Sequence, residues 1–257
     1  MDAASSLIFS PAHYTWMDTN HPAGTPRSGY PIEIQALWHA GLVFLGETAA
    51  GENWAELAAN VRASIGAYYR LAELGYLADC LHAVPGQSAA DALADDALRP
   101  NQLFAITLGL LEDAGARRCV LSACEELLVP GAIRSLCARG VTHPLPIEFG
   151  GRLLNDPTAP YWGHYSGDED TRRKPAYHNG TAWVWPFPSY CEALWVTYGA
   201  AGRATARAFL GSVVELLEEG CVGQLPEILD GDAPHTRRGC GAQAWSVTEV
   251  YRVLRVL

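Results

Sequence analysis

Residues 31–74 read PIEIQALWHAGLVFLGETAAGENWAELAANVRASIGAYYRLAEL, and their spacing decides the fold class. Pro31 sits where a first-turn proline is tolerated, and Ile32, Ile34, Leu37, Trp38, Leu42, Val43 and Phe44 follow at helical spacing over roughly four turns. Gly51 breaks the run. A second periodic run passes through Trp54, Leu57, Val61, Ile65, Tyr68, Tyr69, Leu71 and Leu74, so the two together predict an antiparallel helical pair. Further helices are expected from Arg99, Pro100 and Asn101 through Leu111, once or twice within 116–138 around the break at Pro130 and Gly131, and over 180–199, 201–219 and 244–256. Between them lie Pro-, Gly- and Asp-rich loops at 83–96, 140–177 and 221–243. Strand alternation is confined to short pieces. The order helix, long loop, helix, plain turn predicts an all-α chain, one domain over 1–257, whose helical hairpins present their long loops at one end.

Composition narrows the function. A chain of 257 residues can bury a sizeable core, and its 49% hydrophobic and 18% charged residues are ordinary for a globular protein. The 18 basic and 28 acidic residues give a net charge of -10, which argues against a nucleic-acid partner because phosphate binding needs a basic face. MDAASSLIFS lacks the basic start and apolar run of a signal peptide, and no run of about 18 apolar residues spans a membrane, so a cytoplasmic location is expected. Seven cysteines, an odd number, sit mostly in apolar helical patterns (Cys80, Cys119, Cys124, Cys137, Cys191) and read as reduced, buried thiols. Cys221 and Cys240 flank a loop and could approach each other. No CxxC pair, HExxH or carboxylate cluster asks for a metal, and no cofactor is expected.

The chemistry-bearing stretch starts before the first helix. YTWMD at 14–18 presents Asp18 just after Trp16 and ahead of a Pro/Gly-rich loop. Trp faces stack on pyranose rings while a carboxyl protonates a leaving oxygen, so this pairing suits sugar chemistry. Asp18 equally reads as a helix cap or solvated turn acid. Glu227, within PEILDGD at 226–232, by itself reads as a plain loop acid, with Asp230 and Asp232 as rival bases. Glu33 reads as a first-turn acid favourable to the helix dipole.

TWMD (15–18), TPRSGYPIEIQALW (25–38), LRPNQ (98–102), YHNGTAWVWP (177–186) and PEILDGDAPHTRRGCGAQAWSV (226–247) together resemble the amylo-α-1,6-glucosidase domain of glycogen debranching enzymes. The resemblance runs in order over nearly the whole chain. It implies an (α/α)6 barrel of the six-hairpin glycosidase type and an inverting hydrolase that removes α-1,6-linked glucose stubs. Related barrels hydrolyse trehalose or other glucosides. Carried over by position, Asp18 is the general acid and Glu227 the general base. Glu33 becomes a candidate for binding a glucose hydroxyl. Trp16 offers an apolar wall beside Asp18, Trp38, Trp183 and Trp185 are candidate sugar platforms or core residues, Arg99 and Asn101 helix caps or substrate donors, His178 and His235 donors to hydroxyls, and Gln243 and Trp245 parts of the pocket wall. The expected partner is an α-glucan or oligosaccharide.

Two departures qualify the match. Arg173 and Lys174 stand where the family carries Arg-Asp, so that acidic contact is either lost or supplied by Asp168 or Asp170. The family's earlier Trp-Gly-Arg-Asp loop has no counterpart, and roughly seven to eight helices are expected against about twelve for a closed ring. An incomplete barrel is therefore expected, completed by a partner chain or a second copy, or else a catalytically incompetent glycan-binding fragment.

Overall fold

The computed structural model describes residues 1–19, 27–49 and 53–257. The Gly51 break and part of the loop between Asp18 and the first helix lie outside the described residues. Helices dominate: α1 (Ile32–Thr48), α2 (Trp54–Tyr68), α3 (Leu103–Thr107), α4 (Ala114–Cys124), α5 (Lys174–Tyr177), α6 (Phe187–Tyr198), α7 (Ala200–Gly211), α8 (Val214–Leu217) and α9 (Ala244–Val256). Helix α1 packs on α2 as a hairpin, as the spacing of residues 31–74 predicts.

Helix α6 is the hub, packing on α3, α4, α7 and α9. Residues Phe187 to Leu194 are all buried, and an element apolar on every side is stable only when surrounded. Its partner α7 comes close because position 202 is glycine: a Cβ there would stand 2.4 Å from the Leu194 carbonyl oxygen.

Several expected helices are shorter or are strands. The run 180–199 begins with the strand Ala182–Trp183 and becomes helical only at Phe187. Within 116–138 one helix ends at Cys124, and Leu128–Val129 and Ala132–Arg134 form a hairpin around Pro130 and Gly131. The stretch 201–219 divides into α7 and α8. These strands join an antiparallel five-stranded sheet in the order Arg237–Arg238, Ile228–Leu229, Ala182–Trp183, Ala132–Arg134, Leu128–Val129. A second sheet pairs Gly29–Pro31, Cys80–His82 and Leu93–Ala94. The chain is thus a helical scaffold with short sheets, not purely α; segments of two or three residues are too short for a period-two pattern to register.

The buried face of α1 also differs from its apolar pattern. Ile32, Glu33, Gln35, Ala36, His39 and Leu42 are buried, while Leu37, Val43 and Phe44 are exposed. The polar members have tertiary partners: Glu33 with Arg27, Gln35 with the main chain of Ile8, His39 with Arg62. Cys80, Cys124, Cys137 and Cys191 are buried free thiols, whereas Cys119 is exposed. No helix among the described residues is long and apolar enough to cross a membrane.

Candidate active site

The TWMD turn is built to leave one side chain outside. The Thr15 hydroxyl accepts the Met17 N–H (3.1 Å) and an Arg27 N–H (3.3 Å). Met17 is buried, and the Trp16 indole N–H donates to Asn101 Oδ1 (2.6 Å). With its neighbours anchored inward, Asp18 is exposed. Trp16 turns toward the interior, so its ring does not shield this acid from solvent.

Behind Trp16 runs a buried ionic chain that joins Glu33, Arg99 and Asn101 through Arg27 and Asp79, two residues without a motif signal of their own. Arg27, 1% exposed, forms a fork with Glu33 (2.5 and 2.7 Å) and donates through Nε to Asp79 Oδ2 (2.6 Å). Asp79 also accepts from Asn101 Nδ2 (2.7 Å) and faces Arg99 Nε at 3.6 Å. Arg99 donates onward to the carbonyls of Ser135 (3.0 Å) and His178 (2.5 Å) and to Asn179 Oδ1 (3.0 Å). Burial raises the Asp79 carboxyl above its ordinary pKa even though Arg27 and Arg99 oppose the shift. Burial also works against the Arg27 charge, but Asp79 and Glu33 carry its pKa well above the usual value. Arg99 and Asn101 neither cap a helix with their side chains nor face solvent; they hold the TWMD turn against the YHNG loop.

The sheet assembles the other half of the site. Trp183 pairs with Ile228 across the ladder, which sets the YHNG loop beside the strand that follows Glu227. The Tyr177 hydroxyl donates to Glu227 Oε1 at 2.5 Å, the Cys240 N–H to Oε2 at 2.9 Å and Gln243 Nε2 to Oε1 at 3.2 Å. Glu227 is half-buried. Burial, with the Glu227 hydrogen bond and charge next, raises the Tyr177 phenol far above its usual range, and Asp18 adds to the same shift. Tyr177 thus stands within electrostatic reach of both candidate carboxylates. Gly239 admits the arrangement: its φ is +65°, and a Cβ there would lie 2.2 Å from Glu227 Oε2.

Aromatic rings connect these parts. Trp16 meets His178, Trp183 and Trp185 edge-on at centroid separations of 5.3, 5.2 and 5.1 Å. Trp183 touches Tyr177 at 4.8 Å, and Trp185 packs on Phe104 (5.7 Å) and Trp245 (4.7 Å). Trp16, Glu33, Phe104, Trp185, Trp245 and Glu249 line a cavity of about 260 Å³. The Trp185 indole N–H has no partner among the described residues. Glu33 thus reaches the cavity wall while its carboxylate is held by Arg27.

Other sequence candidates serve the scaffold. Trp38 packs on the main core and donates to the Ser6 carbonyl. Trp183 is buried, its N–H given to the Tyr177 carbonyl. His178 is buried and stacked on Trp183, with neither ring nitrogen paired among the described residues; burial, then Arg99 and Arg27, push its pKa well below the usual value and keep it neutral. His235 Nδ1 lies 3.1 Å from the Asp230 carbonyl. Of the rival bases, Asp230 is buried against Arg238 and the Tyr165 N–H, and Asp232 accepts from Tyr161. Asp168 caps the turn at 169–173 and Asp170 pairs with Lys174, so both serve that segment locally. Among the described residues no group of three or more His, Cys, Asp or Glu is placed to hold a metal.

A helical scaffold with a clamped carboxylate beside an aromatic cavity has the build of a glycoside hydrolase. The chain belongs to the amylo-alpha-1,6-glucosidase family, whose model matches residues 1–252. Among solved structures it is similar to a wild-type glycosidase (17% identity, 96% of this chain and 55% of that one, TM-score 0.54). It is similar also to a glycosidase variant in complex with glucose (16%, 95% and 50%, TM-score 0.52). A third is a GH63 mannosylglycerate hydrolase from Thermus thermophilus in complex with glucose (14%, 89% and 48%, TM-score 0.52). At these identities the likeness is one of fold. The chain spans about half the length of these structures. No curated protein matches it.

Proposed function

We propose that this chain contributes both catalytic carboxylates of an inverting glucosidase that removes single α-1,6-linked glucose units from glycogen or a limit dextrin. The observation that carries the proposal is the setting of Glu227, which three donors orient beside a phenol that also feels Asp18. Asp18 gives its proton to the glycosidic oxygen as the bond from the anomeric carbon breaks. Glu227 takes a proton from the water that attacks the same carbon from the opposite face. Inversion needs the two carboxyls about 6.5 to 9.5 Å apart with that water between them. The Trp16, Trp185 and Trp245 faces suit a pyranose ring. A small α-glucoside such as trehalose is the competing substrate of the same chemistry.

A second reading rests on the exposed apolar side chains of the first and last helices, Leu37 and Phe44 on α1 and Trp245, Tyr251 and Leu254 on α9. A face of this kind marks an interaction surface. It favours one unit of a larger assembly, with further helices on the same or another chain completing the ring, and activity only in that assembly.

The test is glucose release from a limit dextrin carrying single α-1,6 stubs, with trehalose alongside. Asp18→Asn and Glu227→Gln should each abolish release, and the first-formed glucose should be the β-anomer. Release that survives either substitution, or an α-anomer product, overturns the proposal. A folded chain that is inactive alone but active with a separately supplied helical unit supports the second reading.

A further inference from the structure

A cleft of about 670 Å³, which shares no lining residue with the Trp16–Trp185–Trp245 cavity, lies between the hairpin Glu148–Phe149/Arg152–Leu153 and the turn at 169–173. Its walls carry Phe149, Trp162, Thr171, Arg152 and Arg172, and no carboxylate. That charge balance is unusual in a chain with 18 basic against 28 acidic residues. Twelve of its 17 arginines already face a carboxylate or a main-chain oxygen, Arg173 beside the cleft among them. Neither Arg152 nor Arg172 has an ion-pair or side-chain hydrogen-bond partner among the described residues. They come from separate segments and meet at one cleft.

We propose that this cleft binds a sugar carrying a phosphate group. A guanidinium offers planar donors that match phosphate oxygens, and two from opposite walls suit a dianion. The indole of Trp162 supplies apolar surface on which a sugar ring lies. The position has a consequence for the neighbouring site. Trp162 N donates to the Asn179 carbonyl (2.6 Å) and Gly231 N to the Gly163 carbonyl (2.7 Å), so the segment forming one wall is tied directly to the YHNG and PEILDGD loops. The assignment does not depend on the catalytic roles of Asp18 and Glu227.

The experiment is calorimetric titration of the chain with glucose 6-phosphate, inorganic phosphate and glucose, repeated with Arg152→Ala, Arg172→Ala and the double variant. Both side chains are exposed, so the variants should keep the parent melting temperature. Glucose 6-phosphate should bind more tightly than either other probe, and each substitution should weaken it roughly tenfold, as expected for losing one charge-assisted contact. Binding should weaken with added salt and persist in Glu227→Gln, which separates this site from the catalytic cavity. A phosphorylated dextrin that binds more tightly than glucose 6-phosphate assigns the ligand to a polymer, and the reverse order to a free sugar phosphate; both support the site. Glucose binding as well as its phosphate, inorganic phosphate binding as well as the sugar phosphate, or affinity unchanged in the double variant overturns it.

Discussion

Replacing Asp79 by Ala should be among the most damaging single changes in this chain, although Asp79 touches no substrate candidate. Its carboxylate lies between two buried guanidiniums, Arg27 at 2.6 Å and Arg99 at 3.6 Å, and accepts the Asn101 amide at 2.7 Å. Removing it leaves Glu33 as the carboxylate held by Arg27, takes from Arg99 the carboxylate at 3.6 Å, and costs the Asn101 amide its carboxylate acceptor. Breaking a buried pair by deleting one partner costs about 3–5 kcal/mol because an uncompensated charge stays buried. For a chain of this size each kcal/mol corresponds to roughly 2–4 °C in melting temperature, so the expected drop is about 6–20 °C. Urea titration followed by far-UV circular dichroism, with calorimetry alongside, measures it. Arg139→Ala is the control: its pair with Glu126 is 40% and 45% exposed, and such pairs contribute about 0–1 kcal/mol. A loss below about 1 kcal/mol for Asp79→Ala, with an unchanged urea slope, would refute the closed network between Glu33 and His178. The loss should also reach function, since Asn101 holds the Trp16 indole at the wall of the aromatic cavity.

Three further outcomes follow from the same geometry. Tyr177→Phe removes the 2.5 Å hydrogen bond to Glu227 and should lower kcat for glucose release about tenfold or more with little change in KM, measured by initial rates. Gly239→Ala puts a methyl group 2.2 Å from Glu227 Oε2 at a φ of +65°, so it should cut kcat roughly a hundredfold, by the same assay, through misplacing the carboxylate. His178 has a folded pKa well below 6.5, so the unfolded chain binds its proton first; stability should fall as pH drops below about 6.5 and be flat in this contribution above it. His178→Phe should flatten that slope by up to about 1.4 kcal/mol per pH unit in urea titrations between about pH 5 and 7, leaving the smaller contributions of His39 and His143, whose pKa values burial also lowers.

The helical part of the fold was legible because its signal is local. The α1–α2 hairpin and α9, placed at 244–256 from spacing alone, rest on side chains three and four residues apart, which the sequence brings together before any tertiary contact forms. Tyr14 to Asp18 and the loop around Glu227 were legible as motifs. Their inward neighbours were not, because Arg27 and Asp79 look like ordinary solvated loop residues until they meet across 52 positions. Tyr177 and Cys240 gave no signal as Glu227 partners, since one hydrogen bond crosses 50 residues and the other uses a main-chain N–H that any residue carries.

By itself, then, the sequence determined a helical glycosidase scaffold and the family to which the chain belongs, through periodicity and five motifs in register. Only the tertiary structure decided which polar residues hold that scaffold and which carboxylate is clamped. It sent Arg99, Asn101 and His178 into the interior, left Asp18 exposed and gave Glu227 three donors. The reason is physical: burial and charge pairing depend on distances between segments far apart along the chain, and strands of two or three residues exist only through the partners those distances supply.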